Sequence, residues 1–146
     1  LGWPVPDERL ENWLTTVAMA RRASPWPISL VSHHRWFAPQ QEAICVPCRL
    51  SAMGIESIAL MIYTTNEDSM QSRAERIAAH WPALRFRIVQ SAEAELAAEN
   101  SWHGTPADTL HSVEQGWRQK LMPAGVTGIE WQDWADYSAI ADEEQP

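Results

Sequence analysis

The amino-acid sequence predicts an α/β fold: a small doubly wound, Rossmann-like sheet preceded by an N-terminal helix and followed by an acidic, mainly helical part. Three observations carry this expectation. Two short apolar runs, 28–31 and 57–64, read as buried strands. A third segment, LRFRIV at 84–89, alternates apolar and polar side chains. Helical spacing fills the interval between the second and third, so two β-α-β units in series share the middle strand. Right-handed crossovers then build a three-layer parallel sheet.

After Pro4 and Pro6, Asp7 is placed to cap a helix on which Leu10, Trp13, Leu14 and Val17 follow three–four spacing; it ends near Ser24, before PWP. The run SIALMIYT at 57–64 is the strongest strand signal, continuous as in a parallel strand covered on both faces. Asn66 supplies the next cap and Glu67 and Asp68 an acidic first turn. Met70, Ala74, Ile77 and Trp81 make one stripe, and Pro82 closes that helix. In 84–89, Leu84, Phe86 and Ile88 share one face and Arg85 and Arg87 the other, the pattern of a half-exposed or edge strand. SAEAELAAEN at 91–100 reads as a short acidic helix. Thr105 and Pro106 read as cap and first turn of a helix carrying Leu110, Val113, Trp117 and Leu121. GIEWQDWADYSAI at 128–140 suits a short strand or a helix, and ADEEQP is expected to be a solvated tail.

With 146 residues the chain fits one domain: an N-terminal helix over 1–24, a βαβαβ core over 28–90 and the acidic part over 91–146. Its net charge of -8 is unevenly distributed. Residues 1–90 hold nine Lys/Arg and eight Asp/Glu, whereas 91–146 hold two and eleven. The first part is suited to an anionic ligand and the last repels one, so net charge alone decides nothing about an anionic partner; duplex DNA is not expected as one. No apolar run approaches the roughly 18 residues of a membrane span, and the two cysteines are too few for a secreted disulfide framework. The expectation is a cytoplasmic protein with no membrane contact. The chain begins with Leu1 and not methionine, so an excised or processed chain with residues upstream is expected.

Ligands of open α/β sheets sit beyond the carboxyl ends of the strands. That rule selects Ser32, His33, His34 and Arg35 after the first strand, Thr64, Thr65 and Asn66 after the second, and Gln90 and Ser91 after the third. Hydroxyls, an amide, an arginine and helix N-termini at such a rim suit phosphate or ribose. The sequence holds no Gly-x-Ser-x-Gly, phosphate-binding Walker loop or Gly-x-Gly-x-x-Gly, so no catalytic residue is assigned. An enzyme would have to use His33 or His34 as a ring nuclease, or Cys45 and Cys48 as a dithiol. Thirteen residues separate the first strand from Cys45 and eight separate Cys48 from the next strand, a poor match to a thioredoxin-type arrangement. The two cysteines are therefore expected to be small buried hydrophobes in a short helix. Zinc held by them with His33 or His34 is chemically allowed, but one Cys-x-x-Cys with upstream histidines is a weak pattern, and neither metal nor cofactor is assigned. Trp102, Trp117, Trp131 and Trp134 in the acidic part would anchor a protein partner if the chain were an adaptor.

The order of parts ISLVS, HHRWFAPQQ, ICVPCRLSAMGIES, IALMIYTTN and SRAERIAAHW over 28–89 resembles the CRISPR-associated Rossmann-fold (CARF) domains. Those domains open with a short strand and a ligand loop, continue through a short helix and a G-x-E-R-V step into an apolar strand, and follow a Thr/Ser-rich loop with A-E-R-L on the next helix. The resemblance implies a homodimer that binds a cyclic oligoadenylate across its two-fold axis as a non-catalytic sensor. The contacts it carries over are the loop from Ser32 to Gln41, with Arg35 on phosphate, and the loop from Thr64 to Asn66, on ribose or base.

Overall fold

The computed structural model describes residues 5–39 and 44–132. In chain order the elements are α1 (Asp7–Ala23), β1 (Ser29–His33), a 3-10 turn η1 (His34–Phe37), α2 (Val46–Ala52), β2 (Ser57–Met61), α3 (Glu67–His80), β3 (Arg85–Ser91), α4 (Ala107–Leu121) and β4 (Val126–Gln132). Asn66 caps α3 as expected, its Oδ1 accepting the Ser69 N–H at 2.8 Å. Asp7 and Thr105 do not cap; Pro6 and Pro106 stand at those positions, and Asp7 instead joins Glu8 in the first turn of α1, where the helix dipole favours acids. Helix α2 ends in a Schellman motif: Gly54 takes a φ of 72°, its N–H donates to the Ser51 carbonyl, and the Ile55 N–H donates to that of Leu50. Leu50 and Ile55 are both fully buried there.

The four strands form one parallel sheet, so the expected α/β class with its N-terminal helix holds. The winding is simpler than a doubly wound one. Strand order is β1-β2-β3-β4, each strand added on the same side, with no reversal among the described strands. Crossovers of one hand then bring α2, α3 and α4 to a single face. Burial identifies that face: Ile58, Phe86 and Val126 in one row and Leu60 and Ile88 in the next are shut from solvent, packed in one core with Leu14, Phe37, Leu50, Met70, Ile77 and Trp117.

On the opposite face Ser29, Val31 and Arg85 are exposed. Arg87 lies across it, its Nη2 donating to Ser29 Oγ at 2.6 Å and its Nη1 pairing with Glu130 at 2.8 Å. The reach from β3 to β1 passes over β2, where Ala59 is fully buried. The alternation in 84–89 therefore reports an open sheet face, because β3 is an interior strand between β2 and β4 and not an edge.

Two expectations for the acidic part are corrected. After Ser91, which ends β3, residues 92–100 form a turn-rich loop, not a helix. Its backbone is claimed by tertiary bonds: Ser101 Oγ donates to the Glu93 carbonyl at 2.7 Å, the Trp102 N–H to that of Ser91 at 2.8 Å, and the Thr65 N–H to that of Glu99 at 2.9 Å. The segment beginning at Gly128 is a strand as far as Gln132, the fourth of the sheet, so 91–146 is less helical than expected. Trp134 and the expected tail lie outside the described residues, as does Gln41.

Candidate functional site

The two histidines after β1 are held by complementary bonds. His33 ends the strand and caps η1, its Nδ1 accepting the Arg35 backbone N–H at 3.2 Å. Its ring stacks on His34 with centroids 4.5 Å apart. His34 Nδ1 lies 2.9 Å from the Met61 carbonyl at the end of β2. A carbonyl only accepts, so Nδ1 carries the proton. Nε2, 3.3 Å from Arg73 Nη1, is then the acceptor. This neutral tautomer agrees with the electrostatics: burial, with lesser contributions from His33, Arg73 and Arg35, holds the His34 pKa down at about 4 against the Met61 carbonyl, which raises it. Burial and the charges of Arg35 and Arg73 lower that of His33 as well.

Beside His34 opens a cavity of about 170 Å³, lined by His34, Ala38, Pro39, Arg73, Arg76 and Ile77. The elements on its two sides, η1 and α3, are joined by packing. Trp81 at the end of α3 donates its indole N–H to the Phe37 carbonyl at 2.8 Å, and Phe37 is buried edge-on against Phe86. The Arg73, Arg76 and Ile77 positions recur at three–four spacing on α3, so one helix flank supplies both guanidinium groups. Neither is in an ion pair with a carboxylate among the described residues: Arg73 meets His34 Nε2, and Arg76 Nε donates to the Ser72 carbonyl at 3.2 Å.

The structure thus brings His34 together with two arginines that the rim rule does not select. Their signal in the sequence is the Arg-x-x-Arg of SRAERIAAHW, on the flank of the α3 apolar stripe. The other expected residues have separate places. Ser32 is buried on β1, its hydroxyl without a hydrogen-bond partner among the described residues, and does not line the cavity. Arg35 is exposed on η1. Thr64 Oγ1 accepts the Asn66 N–H, Thr65 is bound to the 92–100 loop, and Asn66 is the α3 cap, so all three have internal work. Gln90 is fully buried, donating to the Ile62 carbonyl at 2.8 Å and accepting from Trp102 Nε1 at 3.2 Å.

Neither a family model, nor a curated protein, nor a solved structure matches this chain. The meaning of the site rests on its chemistry. Among the described residues no group of three or more His, Cys, Asp or Glu side chains is placed to hold a metal ion, and no helix is long and apolar enough to cross a membrane.

The cysteines depart from expectation. Cys45 and Cys48 are joined in a disulfide at the start of α2, with Cys45 half-buried and Cys48 exposed, so they are not buried packing residues. The tryptophans expected as interface anchors are largely internal. Trp102 and Trp117 are buried and meet edge-on at 5.6 Å. Trp131 is half-buried, stacked on Trp117, and donates its indole N–H to Glu114 at 3.2 Å.

Proposed function

We propose that the chain is a non-catalytic binding module for a phosphate-bearing ligand of the nucleotide class, held at the β1/β2 end of the sheet. The observation that supports this is the cavity whose two guanidinium groups lack carboxylate partners among the described residues. A guanidinium offers five donors in a planar fork suited to phosphate, and Arg73 uses one of them on His34. Neutral His34 adds no competing charge and orients Arg73 through Nε2.

Size narrows the ligand. Pockets for drug-sized molecules measure about 300–1,000 Å³, so a cavity of about 170 Å³ takes one phosphate-bearing unit of a larger ligand. The resemblance to CARF domains names a cyclic oligoadenylate as that ligand. Two copies of the chain would then each offer one such cavity, in the cytoplasm, with exposed Arg35 extending the cationic surface. The adaptor reading has less support, because two of its three described anchor tryptophans are core residues.

Calorimetry tests the proposal. Wild-type protein and Arg73→Ala are titrated with inorganic phosphate, adenosine monophosphate and cyclic oligoadenylates, and native mass spectrometry reads the oligomeric state. Wild type is expected to bind a phosphate-bearing probe, more weakly as salt rises. Losing one charge-assisted bond of about 1.5–3 kcal/mol predicts roughly ten- to a hundred-fold weaker binding by the variant at unchanged melting temperature. Equal binding by the variant, or no binding of any probe, contradicts the proposal.

A further inference from the structure

The geometry points to a second site, chemically distinct from the cavity: we infer that Cys45 and Cys48 form a thiol–disulfide exchange centre whose co-substrate is a low-molecular-weight or protein thiol. Three features of α2 carry the inference.

First, the disulfide encloses only Val46 and Pro47, so it restricts the unfolded chain far less than a long-range cross-link. Helix α2 is anchored without it. Val46, Pro47 and Leu50 are buried, the Schellman motif closes the helix, and Arg49 makes a bidentate pair with Glu11 of α1 at 3.0 and 3.1 Å. The fold does not depend on this bond, which leaves it open to reversible chemistry.

Second, the two sulfurs are inequivalent. Cys48 is exposed and Cys45 half-buried, so an incoming thiolate reaches Cys48 first. Third, Cys45 Sγ accepts the Cys48 backbone N–H at 3.3 Å, and a donor aimed at sulfur stabilises the thiolate that leaves. No other cysteine exists in the chain, so exchange proceeds with an external thiol and not by internal reshuffling.

The steps balance as follows. A thiolate of the co-substrate attacks Cys48 Sγ; the bond to Cys45 breaks, and Cys45 departs as a thiolate. A second co-substrate thiolate then attacks the sulfur of the first in the mixed disulfide, releasing the oxidised co-substrate disulfide and the Cys48 thiolate. The protein gains two electrons and, on protonation, two protons; the co-substrate pair loses them.

The experiment equilibrates the full chain in glutathione redox buffers and quantifies thiols by alkylation and mass spectrometry, with circular dichroism as the structural readout. Reversible two-electron conversion with an unchanged spectrum is expected. For single variants treated with oxidised glutathione, Cys45→Ser, which retains Cys48, should form the mixed disulfide at least ten-fold faster than Cys48→Ser. The Cys45→Ser/Cys48→Ser double variant should keep the wild-type spectrum and melting temperature. Three results would overturn the inference: a disulfide that resists thiols until the protein unfolds, thiols that never oxidise, or a double variant that loses its fold.

Discussion

At the β1/β2 end of the sheet two guanidinium groups line a cavity with no carboxylate among the described residues to neutralise them, whereas at the β3/β4 end the polar side chains bond to one another. There Tyr63 donates to Gln132, Gln132 donates to Glu93 at 3.2 Å, Ser91 donates to Glu93 at 2.7 Å, and Gln90 links Ile62 to Trp102. The second group lies at the carboxyl edge of the sheet, where ligands of α/β sheets bind, and the cavity lies between η1 and the middle of α3. A network of side chains that satisfy one another fixes structure, while guanidinium groups without carboxylate partners among the described residues offer affinity to an anion. The difference argues that one end is a site and the other a structural clasp.

The largest effect expected from breaking this division falls on the clasp. Trp117 is buried beneath Trp102 and Trp131, and Trp117→Ala should cost about 3–5 kcal/mol in denaturant unfolding. Next is Gln90→Leu, which strands the Ile62 carbonyl and the Trp102 indole N–H in the interior. A loss of about 1–3 kcal/mol per abandoned group is expected, with ligand binding at the cavity unaffected where the folded state persists. A neutral result would mean that water serves these groups as well as Gln90 does.

Smaller effects follow from ionisation. His34 has a folded-state pKa of about 4 against an ordinary 6.5, so the unfolded chain takes up its proton first. Stability is therefore intact above pH 6.5, falls as pH drops towards 4, and stops changing on this account below that. His34→Asn should flatten this slope in unfolding curves between pH 4 and 7; an identical slope would remove His34 as its source. At the other end, burial and then Glu93 push the Tyr63 phenol up to about 12. Alkaline absorbance titration should show a transition there that Tyr63→Phe abolishes, leaving that of Tyr137, the only other tyrosine.

The helices and strands were legible where periodicity alone decides them. The stripes of Met70, Ala74 and Ile77 and of Leu110, Trp117 and Leu121 are buried as their spacing predicts. What periodicity could not supply was strand order. The alternation of Arg85 and Arg87 fits an edge strand or an interior strand with one open face equally well, and only pairing to β4 separates them. In 91–100, helix-forming Ala, Glu and Leu were overruled by bonds from Thr65 and Ser101, partners distant in sequence or acting through side chains. The candidate site was half visible. His34 stood in the loop that the rim rule selects, but Arg73 and Arg76 sit mid-helix, away from any strand end, and only the docking of η1 against α3 brings them to it.

The central claim is that these two ends differ in kind, and a nuclear magnetic resonance titration of isotope-labelled protein with a cyclic oligoadenylate tests it most directly. The account predicts saturable shifts at His34, Ala38, Arg73, Arg76 and Ile77, with Gln90, Ser91, Glu93 and Trp102 unmoved. Shifts centred on Tyr63, Glu93 and Gln132, or none at all, would contradict it.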